Sequence, residues 1–139
     1  MDMKYIGNKA LLDRHKVGFS ATDIPNLTGP TSLLIQTTYD RAEKLSKRAD
    51  ISVVGGFHSS MEKSALNILL QGECGIIIVL ARGMYKRIPK EWQAAMNDNR
   101  LLVISLEKDS VTCITVASSN KRDKYIAKTV NESWNMEVW

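Results

Sequence analysis

Cysteine and histidine are scarce in this sequence, and long apolar runs are missing. The 139 residues include two cysteines and two histidines. Cys74 and Cys113 lie far apart in the chain, and they form no Cys-x-x-Cys spacing. Zinc sites and disulfide frameworks both need several closely spaced cysteines or histidines. The composition therefore argues against a metal centre and predicts two reduced, buried thiols, as in a cytosolic protein.

Apolar residues make up 44% of the chain. No apolar stretch approaches the ~18 residues that a membrane-spanning helix requires. The first residues, from Met1 to Tyr5, lack the apolar core of a secretion signal. We therefore expect a cytoplasmic protein with no membrane partner. The length and the apolar content suit a single domain, which we place over residues 1–139.

The net charge is small and comes from one segment. Nineteen Lys and Arg residues stand against 15 Asp and Glu residues, which gives +4. Residues 81–90 contain four basic residues and no acidic one, so the rest of the chain holds 19 − 4 = 15 basic and 15 acidic residues. Such a local excess favours one anionic ligand over a broad basic surface that coats a polymer.

Strand-like and helix-like segments alternate along the chain, and the aliphatic run 76–80 is typical of a strand buried on both faces. The alternation predicts an α/β fold: a Rossmann-like, doubly wound, mainly parallel sheet with helices on both faces. The segment 111–116 is either a strand or the start of the last helix. Residues 21–30 have the composition of a loop, and a helix-like piece with Ile6, Leu11 and Leu12 precedes the first strand. Strands are predicted at 15–20, 51–54, 76–80, 101–104 and 136–139, and helices at 30–49, 61–70, 89–97 and 120–131.

In such a sheet, ligands bind beyond the carboxyl ends of the strands. The loop after the second predicted strand holds two glycines that let the backbone approach a ligand, and two serines at a helix start that suit phosphate. An alternative of similar weight is a tight turn followed by an ordinary serine N-cap. The dinucleotide fingerprint and the P-loop lysine are both missing. The candidate ligand-binding residues here are Gly55, Gly56, Phe57, His58, Ser59 and Ser60, with Ser20 at the end of the first predicted strand.

Two residues of this loop have both a structural and a functional interpretation. Glu62 falls in the first turn of a helix, where the helix dipole stabilises a carboxylate, and this structural role is the default. The same carboxylate one turn past a phosphate would suit a ribose hydroxyl or general acid–base catalysis. His58 either donates to a ligand or covers the loop.

The basic segment 81–90 follows the third predicted strand. Arg82 directly follows the buried run and is the best candidate phosphate ligand, because guanidinium makes bidentate contacts to phosphate. For Arg87, ligand contact and structural pairing remain equally open. Tyr85 is suited to stack on a base. Five other residues are expected to serve structure or solvation: Lys86 and Lys90 as solvated charges, Trp92 in the core, and Arg122 with Lys124 on a solvated helix face that would serve as a second patch if DNA is bound.

Five segments of the chain match a known family pattern: 55–63, 69–72, 76–83, 87–89 and 99–104. In this order they resemble the core of the DprA/Smf-like DNA-processing family. The resemblance is closest to its short single-domain relatives, whose loop commonly reads Ser-Gly-Phe-His-Ser-Pro-hydrophobic-Glu-Lys, and its strong part covers residues 50–105. The family belongs to the SLOG group of Rossmann-like domains. A helix with the family pattern Arg-Asn-Arg-hydrophobic-Ile-Ala is matched at 120–127.

The resemblance implies a phosphate-friendly pocket, because SLOG domains bind or process nucleotides and nucleotide-derived signals. It also implies single-stranded DNA as a partner, because DprA binds single strands and loads a recombinase during DNA uptake. The sequence departs from the group at Ser60, where the short relatives have proline. It also lacks the Pro-Gly-Gly-x-Gly-Thr-x-x-Glu motif of the LOG hydrolases.

Three functional hypotheses follow. The first is binding of a phosphate-bearing nucleotide or nucleotide-derived ligand between the glycine loop and the Arg82 loop, for sensing, sequestration or processing and with no cofactor. The second is DprA-like binding of single-stranded DNA. The third is a small nucleotide N-glycosidase or hydrolase in which Glu62 is catalytic. The exposed character of Trp134 and Trp139 further predicts a homo-oligomer, a dimer or larger.

Overall fold

The computed structural model describes residues 3–20 and 30–135. In that part of the chain six strands and four α-helices are connected by loops and two short 3₁₀ helices, at Lys9–Asp13 and Lys90–Trp92. The strands are β1 (Lys4–Gly7), β2 (His15–Ser20), β3 (Ile51–Gly55), β4 (Gly75–Leu80), β5 (Leu101–Ser105) and β6 (Glu132–Asn135). The helices are α1 (Pro30–Ser46), α2 (Ser60–Leu70), α3 (Gln93–Asn97) and α4 (Val116–Thr129).

The strands form one sheet in the order β1-β5-β4-β3-β2-β6. Every neighbouring pair is parallel except β1 with β5, which is antiparallel. From β2 the chain moves strand by strand to β5, and it then crosses back through α4 to add β6 on the other side of β2. The predicted Rossmann-like, mainly parallel sheet is therefore confirmed.

The alternation of buried side chains along the central strands creates two cores, one on each face of the sheet. Ile76 and Ile78 of β4 pack with α1, α2 and α3, whereas Ile77 and Val79 face the opposite way. The second core is covered by Leu11 of the first 3₁₀ helix and by the inner side of α4. Because β4 is buried on both faces, it needs the uninterrupted aliphatic run that its sequence provides.

The structure corrects the prediction at both edges of the sheet. The helix-like piece before β2 is in fact strand β1 followed by a 3₁₀ helix, and Lys4 of β1 lies opposite Ser105 of β5. Residues 132–135, placed after the last helix and before the last strand, form β6. Asn131 fixes this edge, because its backbone N–H donates to Lys16 O and its side-chain oxygen accepts from Lys16 N, both at 2.8 Å. Both strands are only four residues long, so their local pattern does not distinguish them from turns.

The last helix begins earlier than predicted. The segment 111–115 contains no strand, and α4 starts at Val116. Thr115 caps it, since its hydroxyl accepts from the Ser118 amide at 3.0 Å and Ser118 Oγ accepts from the Thr115 amide at 2.9 Å. Of the two interpretations of 111–116, the start of the helix is the closer one. None of the described helices is long and apolar enough to cross a membrane.

The strand order reverses between β2 and β6, and this is where doubly wound sheets bind ligands. The loop predicted at 21–30 follows β2, and residues 21–29 of it lie outside the described residues. The strand predicted at 136–139, Trp139 and the side chain of Trp134 lie outside them as well. The described part of the carboxyl edge is formed by β3, β4 and β5 and the loops that follow them.

The two thiols differ in their surroundings. Cys74 is buried at the start of β4, and burial raises its pKa to about 11. Cys113, predicted to be buried, is exposed, because the segment that carries it lies in a surface loop between β5 and α4.

We expect iodoacetamide at pH 8 to modify one thiol per native chain, because the nucleophile is an accessible thiolate. Mass spectrometry should show a single adduct on Cys113 in the native protein and two adducts in urea. The Cys113→Ser variant should remain unmodified until it is denatured. Rapid modification of Cys74 in the native protein would contradict this description of the core.

Candidate nucleic-acid interface

The glycine loop, residues 55–60, connects β3 to α2 at the carboxyl edge of the sheet. Its sharp turn falls on Phe57, which has a φ of 48°, a left-handed conformation that costs about 1 kcal/mol in a residue with a side chain. The cost is offset because the Phe57 ring is buried in the core. The two glycines are needed for space and not for a positive φ. A Cβ on Gly55 would lie 2.9 Å from the carbonyl oxygen of Phe19.

Gly56 makes room for Arg122. A Cβ on Gly56 would lie 2.8 Å from Arg122 Nε and 2.9 Å from its Cδ, so the arginine stem packs directly on the glycine backbone. The Arg122 side chain is only 13% exposed, and its Nε donates to Asp123 Oδ1 at 3.1 Å. Among the described residues, no hydrogen-bond partner is seen for its two terminal nitrogens. The glycine loop therefore holds a cation from a distant helix at its surface.

The expectation that Arg122 lies on a solvated face is wrong. Ser118 and Ile126, one turn before and one turn after Arg122, also face inward on α4. This i, i+4, i+8 spacing places the arginine on the buried side of the helix. The signal was present in the sequence. Lys124 is exposed, as expected.

Ser59 and Glu62 form the N-terminal cap of α2. The Ser59 hydroxyl accepts from the Glu62 amide at 3.1 Å, and Glu62 Oε1 accepts from the amides of Ser59 and His58 at 3.1 and 3.2 Å. This is a capping box, in which the chain's own carboxylate occupies the amides that a phosphate would need. The geometry favours the structural interpretation of both residues. His58 and Ser60 are exposed beside the cap.

The basic loop after β4 presents one ordered arginine and three solvated cations. Arg82 is half-buried, its Nε donates to Gly83 O at 3.2 Å, and its guanidinium carbon lies 4.5 Å from the centre of the Tyr85 ring. Cation–π contact of this kind fixes both partners. Arg87 is exposed, as are Lys86 and Lys90.

Tyr85 and Trp92 meet at an angle beside the core. Their ring centres are 5.8 Å apart and their planes are inclined by 70°, an edge-to-face contact. Both rings are partly buried against the core that α1, α2 and α3 cover, which agrees with the core role predicted for Trp92. Tyr85 thus has a defined orientation with Arg82 above it and Trp92 at its side.

A cavity of about 390 Å³ lies between the glycine loop and these two rings, and we call it the inner cavity. Its size falls in the range of about 300–1,000 Å³ that is usual for small-ligand sites. Arg82 does not line it, so the predicted pocket joins the glycine loop to Tyr85 rather than to Arg82. Ser20 lies exposed at the end of β2, opposite Asn135 of β6. The inner cavity is lined by Gly56, Phe57, Lys63, Leu66, Asn67, Ile78, Leu80, Tyr85, Pro89, Glu91 and Trp92.

No protein-family model matches the sequence, and no curated protein matches it significantly. Solved structures do match. A DprA from Helicobacter pylori, described as binding single-stranded DNA in a unique mode, superposes with a TM-score of 0.70 at 16% identity, over 96% of this chain and 59% of that one. The chain has a DprA-like fold. The DprA of Streptococcus pneumoniae superposes with a TM-score of 0.68 at 18% identity, over 96% of this chain and 45% of that one.

The DprA-like resemblance read from the sequence is therefore confirmed, and at this level of identity it establishes the fold. The chain spans about half the length of the DprA proteins that it matches.

Proposed function

We propose that this DprA-like domain binds single-stranded DNA across the carboxyl edge of its sheet. The observation that carries the proposal is the basic loop 81–90, in which three further cations and no acid accompany the ordered Arg82–Tyr85 pair. Proteins that bind single strands combine a positive groove for the backbone with aromatic rings for the bases. The similarity in fold to a DprA that binds single-stranded DNA supports the same choice.

Two arginines from different elements serve the phosphates. Arg82 projects from the loop after β4, and Arg122 projects from α4 over Gly56. Guanidinium groups suit this role because they remain charged and offer several donors in one plane. Bases stack on Tyr85 or enter the inner cavity beside Trp92.

The test is fluorescence anisotropy with a labelled twelve-nucleotide oligothymidylate over a series of salt concentrations. Phosphate contacts from these two arginines predict that log K falls against log salt with a slope of about −1.4, because each contact on a single strand contributes about −0.7. Duplex DNA of the same length should bind more weakly, because its bases are not open to stacking. Absence of binding to the single strand at low salt would reject the proposal.

A free mononucleotide is the second candidate ligand, and the observation that favours it is the inner cavity. Lys63, Asn67 and Glu91 supply polar groups to walls that are otherwise mostly apolar or aromatic. Isothermal titration with a panel of nucleotides and cyclic nucleotides distinguishes the two functions. Micromolar binding of a mononucleotide that displaces no oligothymidylate would favour this second function.

Hydrolase or glycosidase activity is not part of the proposal, because the Glu62 carboxylate is held by two backbone amides of the helix cap. The expected homo-oligomer stays a prediction. Light scattering tests it, and a monomeric mass would remove it.

A further inference from the structure

A second cavity lies at the same edge of the sheet, and we call it the outer cavity. Its volume is about 620 Å³. Three segments far apart in sequence form it: the antiparallel strand β1, the basic loop after β4 and the loop after β5. No sequence motif covers this combination. The outer cavity is lined by Lys4, Tyr5, Ile6, Arg82, Met84, Tyr85, Lys86, Asp109 and Thr112.

The charge of the outer cavity is positive. Lys4, Arg82 and Lys86 contribute three cations, and Asp109 contributes one carboxylate, so the lining carries 3 − 1 = +2. Lys4 Nζ lies 2.5 Å from Asp109 Oδ2, and the two side chains are 48% and 60% exposed. An exposed ion pair of this kind is held weakly. An arriving anion can therefore compete with Asp109 for Lys4.

Tyr85 is common to the outer and the inner cavity. The two spaces therefore adjoin at one aromatic ring, which Arg82 covers at 4.5 Å. A mononucleotide fills one space only. A DNA strand has a phosphate at every nucleotide, so it can pass the Tyr85 ring and place successive nucleotides in the two cavities.

We infer that the outer cavity holds a further phosphate-bearing unit of the same single strand, bound by Lys4 and Lys86 together with Arg82. This inference rests on the proposed function. It adds β1 to the interface. It also predicts that Asp109 weakens DNA binding, since its carboxylate competes with the phosphate for Lys4.

The sign of one substitution separates this role from a structural one. If the Lys4–Asp109 pair only holds β1 in place, Asp109→Asn should leave DNA binding unchanged or weaken it. If phosphate binds here, Asp109→Asn removes a competing charge, and we expect about threefold tighter binding of the labelled twelve-nucleotide oligothymidylate at low salt. The Lys4→Ala/Lys86→Ala double variant should bind it about tenfold more weakly.

Lys44→Ala/Lys47→Ala, at the end of α1 and in the turn after it, lies outside both cavities, removes the same charge and is the matched control. Thermal melts of all variants report folding. If the double variant is unfolded, the single variant Lys86→Ala, in an exposed loop, takes its place in the test. The inference is overturned if the wild type binds DNA and neither Lys4→Ala/Lys86→Ala nor Lys86→Ala weakens that binding. It is also overturned if Asp109→Asn fails to tighten the binding. Both results leave the proposed function standing. Absence of wild-type binding overturns the proposed function itself.

Discussion

A chain with both Arg82→Ala and Arg122→Ala is expected to bind single-stranded DNA about a hundredfold more weakly than the wild type. In the proposed complex each arginine makes a charge-assisted contact to phosphate worth at least about 1.4 kcal/mol, which is tenfold in affinity. The two side chains belong to different elements and have no described contact with each other, so their effects should add. Anisotropy titrations at fixed salt measure the four dissociation constants of the wild type, the single variants and the double variant.

The matched control for this experiment changes the net charge by the same amount at another place. Lys44→Ala/Lys47→Ala lowers the charge from +4 to 4 − 2 = +2, as the arginine pair does. Both lysines lie near the end of α1, where the chain returns to the start of β3, and Lys47 pairs with Glu43. This variant should bind within threefold of the wild type. Equal losses in the two double variants would mean that binding follows total charge and not the proposed site.

The Ile77→Ala substitution is expected to lower the free energy of unfolding by about 3–4 kcal/mol, within the range of about 2–5 kcal/mol for such truncations in a core. Ile77 is fully buried on the central strand β4. It packs with Val54 and Leu102 on the face that α4 covers, and parallel strands on both sides leave no room for the site to collapse.

Urea unfolding followed by circular dichroism measures this change. Val116→Ala is the control, because Val116 is 79% exposed at the first turn of α4 and should alter stability by less than about 0.5 kcal/mol. A loss below 1 kcal/mol for Ile77→Ala would mean that the second core is loosely packed.

The sequence predicts the central strands well and the edges poorly, for a physical reason. A strand such as β4 is buried on both faces, so burial itself imposes the aliphatic run 76–80. Strands β1 and β6 each pair with one neighbour that is distant in sequence, Lys4 opposite Ser105 and Glu132 opposite Val17. Backbone pairing leaves little trace in side-chain composition, so no local pattern marks such strands.

The candidate site divides in the same way. The Arg82–Tyr85 contact joins residues three apart in the chain, and the capping box of Ser59 and Glu62 is also a local pattern. The residues of both features can therefore be identified from the sequence. The contact of Arg122 with Gly56 depends on how α4 crosses the sheet. The helical period shows which face of α4 points inward, but it does not show which loop that face meets. The outer cavity combines three remote segments, and only the folded chain reveals it.

The pairing of the two edge strands also has a consequence during synthesis on the ribosome. Strands β2, β3 and β4 emerge in the order in which they pair, so they can associate as the chain grows. Strand β1 must wait for β5, and the outer side of β2 must wait for β6, which emerges last among the described strands. A nascent chain therefore exposes an unpaired edge of β2 until β6 emerges, and such edges recruit strands from other chains. We therefore expect incomplete chains to aggregate, and slower growth at low temperature should reduce this aggregation.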